Sequence, residues 1–340
     1  MVRRTTWVAI GFAWGASAIA QSDPATSSST PKSAEVGVPA ETKPADFVYV
    51  AATSQDRIGR IMAPVFVNGI GPFAFIVDTG ASSTVIAPRV ARRLNLPLDL
   101  THNKLLRGIT GSELVPTVVV SDITAGGIRL TNSRLPVVEP RVFAEADGIF
   151  GADAFARGCL MVNFRRAKLA ILEQGCPRVV DDWEVVRARV QFGGLVVVDA
   201  RVGSIRAVAI IDTGAERSLG NLALLAAVRQ NRKVQPEANR TQVYAATSQA
   251  VFGDLVMTPS VRVGGIRIGR QPVVYGDFEV FRIWDVQNQP AIVLGVDVLG
   301  ATEAMMIDYQ KGELRVLPRE SGEGAYVKKR GMPSRLPRNN

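Results

Sequence analysis

Residues 75–84 read FIVDTGASST, an apolar run that ends in an acid, a hydroxyl and a glycine. Taken alone this is a turn, because Asp bonds to nearby backbone and Gly tolerates conformations other residues avoid. One Asp-Thr-Gly is within the reach of chance. Residues 208–216, VAIIDTGAE, repeat it, with Ala again after the glycine, and the two aspartates stand 134 residues apart (212 minus 78). A motif duplicated at that spacing points to a duplicated fold.

The repeat extends well beyond the motif. Alternating apolar strands lead into each copy, IMAPVFVNGIGPFAFIVDTG (61–80) and LVVVDARVGSIRAVAIIDTG (195–214). A helical stretch follows each, PRVARRLNL (88–96) and NLALLAAVRQ (221–230), with Pro88 suited to a first turn and Asn221 to an N-cap. Strand pairs about a Gly-Gly turn come next, TAGGIRLTNSRLPVV (124–138) answering VRVGGIRIGRQPVV (261–274). Two apolar residues and a glycine follow, in GIFGADAF (148–155) and VLGVDVLG (293–300). Each copy closes on a hairpin, LMVNFRRAKLAIL (160–172) and MMIDYQKGELRVL (305–317). Short strands, frequent glycine turns and one helix per half predict a mostly-β chain of two homologous lobes.

With these parts in order, the chain resembles the retropepsin-like aspartic proteases, in a single-chain, two-lobed form found among exported bacterial proteins. The resemblance covers about 47–318 and rests on hydrophobic–Asp-Thr-Gly twice, each followed by hydrophobic–hydrophobic–Gly. It implies a bilobal acid-protease (pepsin/retropepsin-like) fold, each β lobe with a short helix and the active site between lobes. The lobes are expected over 47–178 and 179–320.

Asp78 and Asp212 are the catalytic pair under this reading. Two carboxylates about 3 Å apart cannot both ionise, so they share one proton. The ionised member takes a proton from water while the protonated one polarises the scissile carbonyl; the sequence leaves open which is which. By resemblance, Thr79 and Thr213 reach across to the opposite loop's backbone. Gly80 and Gly214 admit backbone N–H groups to the carboxylates. Phe150-Gly151 and Leu294-Gly295 are expected to support the active loops from behind, and Asp153 and Asp297 to cap local backbone.

A substrate-covering flap is expected some 30 residues past each Asp. In the first lobe it is LLRGITGSE, with Gly108, Ile109, Thr110 and Gly111 at the tip; in the second it is TQVYAATSQ, with Tyr244 near the tip. Retropepsins usually carry an Asp after DTGA, paired with an Arg beyond the distal glycine. Here those positions are Ser82 and Glu216, and Ala152 and Val296, so that ion pair is absent from both lobes. Ser82 and Glu216 remain candidate substrate contacts, with a solvated or interface carboxylate the other reading of Glu216.

The ends of the chain read differently. MVRRTT followed by WVAIGFAWGASAI, with small residues before Ala20, has the layout of a signal peptide over 1–20. That apolar run is too short to span a bilayer comfortably, and no other stretch is long and apolar enough. Residues 21–46, rich in Ser, Thr, Pro and Ala, read as a disordered linker or a removable pro-segment. Residues 321–340 form a basic tail. An exported, periplasmic or secreted, monomeric enzyme is therefore expected, acting on a peptide or protein.

The net charge of +9 does not point to nucleic acid. Five of those charges sit in the last fourteen residues and two in the leader, leaving about +2 for the rest (9 minus 5 minus 2). Two cysteines and one histidine are too few for a zinc site, so no metal and no cofactor is expected. Cys159 and Cys176 flank the first closing hairpin, which would bring its ends together, so a disulfide is expected, with two buried thiols as the alternative. A serine or cysteine protease would need a histidine, and the sole one, His102, lies in the polar stretch THNK. A glycosidase also uses two carboxylates but has no reason to set them in duplicated Asp-Thr-Gly turns. The rivals that stay open are a non-catalytic peptide-binding module and a protease dedicated to one exported or membrane-ectodomain partner.

Overall fold

The computed structural model describes residues 49–319, apart from 53, 57–58, 126–127, 139–142, 144, 173–174, 180–181 and 231–237. The expected signal peptide, linker and tail lie outside the described residues, as does the first Gly-Gly turn. What is described is mostly β and folds as two lobes. Among the described residues, no helix is long and apolar enough to cross a membrane.

An eight-stranded sheet forms the first lobe, in the order Val85–Ile86, Gly148–Phe150, Ile70–Val77, Ile61–Val67, Gly111–Ala125 and Asp99–Gly108. Ser54–Gln55 and Ile128–Pro136 branch from it. The strand Ile70–Val77 starts half-solvated and ends on three buried residues, Phe75, Ile76 and Val77. That change follows the sequence, where alternation gives way to a solid apolar run as the chain enters the core. Its end pairs in parallel with Gly148–Phe150, and in the second lobe Ile205–Ile211 pairs in parallel with Ala291–Leu294.

The closing hairpins do more than close their own copies. Cys159–Asn163 pairs with Ala304–Asp308, with Met161 opposite Met306, so the same position of each copy meets across a local two-fold axis. Tyr49–Ala52 and Lys168–Leu172 extend this sheet on one side, and Glu313–Leu317 and Glu184–Gln191 on the other. It continues through Glu184–Gln191 into the second lobe. One apolar cluster runs through both lobes and includes Phe155, Leu160, Ala188, Met305 and Ile307. The larger of these side chains each contribute roughly 1.5–3 kcal/mol on burial.

Helices stand where the repeat predicts them, Pro88–Arg93 and Leu222–Gln230. Pro88 occupies the first turn, and the Asn221 side-chain oxygen accepts from the Leu224 amide at 2.9 Å. Three shorter helices, Ala152–Phe155, Glu279–Ile283 and Val296–Leu299, exceed the one helix expected per half. Single turns carry too few residues for a 3.6 period to register. The first closing hairpin turns through Ala167, and a disulfide joins Cys159 to Cys176 with Cα atoms 4.9 Å apart.

Candidate active site

Both aspartates sit where a buried strand ends against a parallel neighbour. The Asp78 amide donates to the Phe150 carbonyl at 3.1 Å, and the Asp212 amide to the Leu294 carbonyl at 3.0 Å. The residue before each distal glycine thus holds the backbone of each aspartate. Behind it, Asp153 accepts from the Thr84 amide and hydroxyl at 2.9 and 2.7 Å, while Thr84 Oγ1 accepts from the Gly151 amide at 3.2 Å. The second lobe repeats this with Asp297, Ser218 and Gly295, at 3.0, 2.7 and 3.0 Å. Thr84 and Ser218 escaped the sequence reading, although both follow their aspartate by six residues and carry a hydroxyl.

Four reciprocal hydrogen bonds lock the two loops together. Thr79 Oγ1 donates to the Ile211 carbonyl at 2.8 Å and Thr213 Oγ1 to the Val77 carbonyl at 2.6 Å. Each hydroxyl also accepts from the other threonine's amide at 3.1 Å. Both threonines are fully buried, so every one of these groups depends on its partner.

The glycines serve a closer purpose than admitting amides. The Gly80 and Gly214 amides bond their own loop's Asp78 and Asp212 at 2.8 and 2.9 Å, and the Ala215 amide adds a bond to Asp212 at 3.0 Å. A Cβ on Gly80, however, would overlap the carboxylate of Asp212, and one on Gly214 that of Asp78. Each glycine makes room for the acid of the opposite lobe.

The two carboxyls lie within hydrogen-bonding reach of each other. Burial raises both above the ordinary carboxylate range. The negative charge of Asp78 pushes Asp212 higher still. Asp78 is held lower by the amides of Gly80 and Ala81, by its bond with Asp212 and by the positive charge of Arg60. Arg60 is 4% exposed and bonds Asp56 at 2.6 Å. Its counterpart in the repeat is Gly194 (60 plus 134), so this cation acts on one acid of the pair, and a lone sequence gave no signal for it.

The two hairpins expected as flaps meet at their tips. The tip between Asp99–Gly108 and Gly111–Ala125 meets the tip between Ala238–Tyr244 and Ala250–Thr258 through Thr110 and Thr247, whose hydroxyls lie 2.6 Å apart and are buried. The Ile109 carbonyl accepts from the Glu279 amide at 3.0 Å, and its side chain packs on the second lobe. Ala246 packs in turn on the first lobe. Gly111 has φ +150°, and the Gln249 side chain fills the place a Cβ would take; Gly108 lies against Thr247. Tyr244, expected near the second tip, stands half exposed at the end of its strand and donates to Gln242 at 2.8 Å. The residues that meet the first flap are Thr247, Gln249 and Ser248, whose amide donates to Glu113 at 2.7 Å, and sequence reasoning singled out none of them.

The remaining candidates lie at the margin. Ser82 is exposed and Glu216 half-exposed, its carboxylate 4.0 Å from Arg217. Where the resemblance leads one to expect an ion pair, a turn of the second lobe packs instead. A Cβ on Gly193 would lie 3.1 Å from that of Ser82, and one on Gly194 2.7 Å from that of Ala152. Phe192 in the same turn stacks on Trp284 at 5.9 Å. His102 is exposed and bonds Asp99 at 2.9 Å. No cluster able to hold a metal occurs among the described residues.

A family model described as aspartyl protease matches residues 63–154 and 198–298, more than half of the chain and one match for each Asp-Thr-Gly. No curated protein matches the chain. The duplicated strand ends, the crossed threonines and this double match lead to one conclusion: the chain belongs to the retropepsin-like aspartyl protease family, with both lobes in one polypeptide.

Proposed function

We propose that the protein is an endopeptidase in which Asp78 and Asp212 activate water between the lobes. The observation that carries this is a pair of buried carboxyls, one from each lobe, within hydrogen-bonding reach of each other and both raised by burial, an arrangement that favours sharing one proton. Asp212, raised further, holds the proton in the free enzyme, and Asp78 is the ionised base. Water between them gives a proton to Asp78 as its oxygen attacks the scissile carbonyl, whose oxygen takes the proton of Asp212. The resulting gem-diol collapses when Asp78 gives its proton to the amide nitrogen and Asp212 takes one back from a gem-diol hydroxyl: the C–N bond breaks, the amine leaves, a carboxylic acid remains and the pair is restored. Thr79, Thr213 and the two glycines position the carboxyls; Thr110, Ile109 and Thr247 cover the substrate. Peptide is the only substrate this chemistry needs, and no metal or cofactor enters it.

The basic, apolar leader supports export, and a disulfide fits an oxidising compartment. A monomer is the state proposed, since both acids come from one chain. The test uses the protein from Gln21 with Asp78→Asn and Asp212→Asn beside it, following a mixed peptide library by mass spectrometry from about pH 3 to 7.5. Cleavage by the wild type, reduced by about a thousandfold or more in both variants, is expected. Absence of cleavage at every pH would overturn a general protease. It would leave the peptide-binding module or the dedicated enzyme, which capture of a partner by the Asn variants would separate.

A further inference from the structure

Four arginines scattered through the sequence stand side by side on the second lobe. Arg206 of Ile205–Ile211 lies opposite Arg201 of Leu195–Val202. Arg201 lies opposite Arg262 of Val261–Val263, and Arg262 opposite Arg267 of Ile266–Ile268. Directly opposed residues share a face, so the four point the same way from four adjacent strands, over roughly 14 Å at the ordinary strand spacing. All four are exposed while their strand neighbours Ala200, Val202, Ala207, Val261, Val263, Ile266 and Ile268 are buried.

Like charges directly opposed destabilise a sheet, and nothing in the strands requires them. Among the described residues, none of the four has a carboxylate within ion-pair distance. Arg201 bonds the Ser204 carbonyl at 3.1 Å and Arg267 the Ser260 hydroxyl at 3.0 Å. Asp199, which lines the same groove as three of the arginines, is engaged by Arg189 at 2.9 Å, and Glu184, beside the turn between Val261–Val263 and Ile266–Ile268, accepts from the Gly265 amide at 2.7 Å. Arg201, Arg206 and Arg262 line this groove of about 580 Å³, which Gln289 and Pro290 also line.

We propose that this row and its groove dock an acidic stretch of polypeptide, a part of the protein substrate outside the segment held in the cleft. Guanidinium forks match carboxylates two bonds at a time, and a concave groove with an amide on its wall suits a discrete chain. The groove carries Asp199 and no aromatic platform, which disfavours a nucleic acid. The near-neutral remainder of the chain leaves no broad basic face for a membrane. Arg206 stands near the start of Ile205–Ile211 and Asp212 just past its end, six residues or about 20 Å apart, a span that an extended peptide from the cleft can bridge. Only the identity of the acidic chain as substrate rests on the protease reading.

The test reads binding and not cleavage. Fluorescein-labelled deca-glutamate is titrated by anisotropy at low salt against wild type, Arg201→Ala/Arg262→Ala and the milder Arg262→Gln. Saturable binding is expected, weakened about tenfold or more in the double variant and lost as salt rises. Melting temperatures of the variants equal to or above wild type are expected, since like charges are removed. No saturable binding to the wild type, or equal binding by all three, overturns the proposal. So does binding of a deca-thymidine strand or phosphatidylglycerol vesicles through these arginines when deca-glutamate does not bind. A protein that binds deca-glutamate yet cleaves no peptide of the library would overturn the general protease and keep the docking site.

Discussion

At the scale of single residues, the site joins two acids that burial makes reluctant to ionise. Their pKa values are raised above that of the unfolded chain, so the folded state binds more protons once pH exceeds about 4. Stability is therefore lost as pH rises through the folded values. Asp212→Asn removes that loss while keeping an oxygen for the amides of Gly214 and Ala215. It is expected to melt at a higher temperature than wild type near pH 7, with the gain vanishing near pH 4; calorimetry at both pH values checks this. Arg60 favours ionised Asp78, so Arg60→Gln is expected to raise the pKa of that acid. The acidic limb of the pH profile of kcat/KM would then move to higher pH, and an unmoved limb would remove Arg60 from the electrostatics of the site.

At the scale of elements, the two flaps differ in sequence yet meet on paired hydroxyls. Thr247→Ala leaves the buried Thr110 hydroxyl without its partner, a cost of about 1–3 kcal/mol falling on the closed arrangement. Hydrogen exchange of the amides from 105 to 113 is expected to quicken, with KM changed more than kcat if closure mainly holds substrate. The turn at 192–194 is another element that joins the lobes. Gly194 has φ +115° and lies against Ala152, so Gly194→Ala combines backbone strain with overpacking. A loss of about 2 kcal/mol or more in denaturant unfolding is expected, because Gly194 packs on Ala152, a position the resemblance would give to an ion pair.

At the scale of the whole molecule, the lobes share a sheet and an apolar cluster. Neither hairpin, Cys159–Asn163 with Lys168–Leu172 nor Ala304–Asp308 with Glu313–Leu317, can separate from the other without breaking five paired positions. The described body is therefore expected to unfold in one transition, with calorimetric and van't Hoff enthalpies equal. Two resolved transitions would mean that the lobes hold themselves together separately. The disulfide lies at this junction, where Cys159 and Met306 share an apolar cluster, and so ties the chain beyond the first hairpin to the common sheet.

The sequence by itself determined what is local or repeated. Apolar runs ending in Asp-Thr-Gly made Asp78 and Asp212 legible, and the same order of parts around each made two β lobes legible. The helices at 88 and 221 were readable from Pro88 and Asn221, because first turns and caps are set by adjacent residues. Tertiary structure decided what depends on distant chain segments meeting. Thr110 faces Thr247 and not Tyr244, Gly80 clears Asp212 and not its own neighbour, and Arg60 biases one acid alone. The arginine row belongs with these, since cross-strand register aligns residues 201, 206, 262 and 267 and nothing along the chain marks them as neighbours. Local patterns fix which strands and turns form; register and packing fix which side chains face one another.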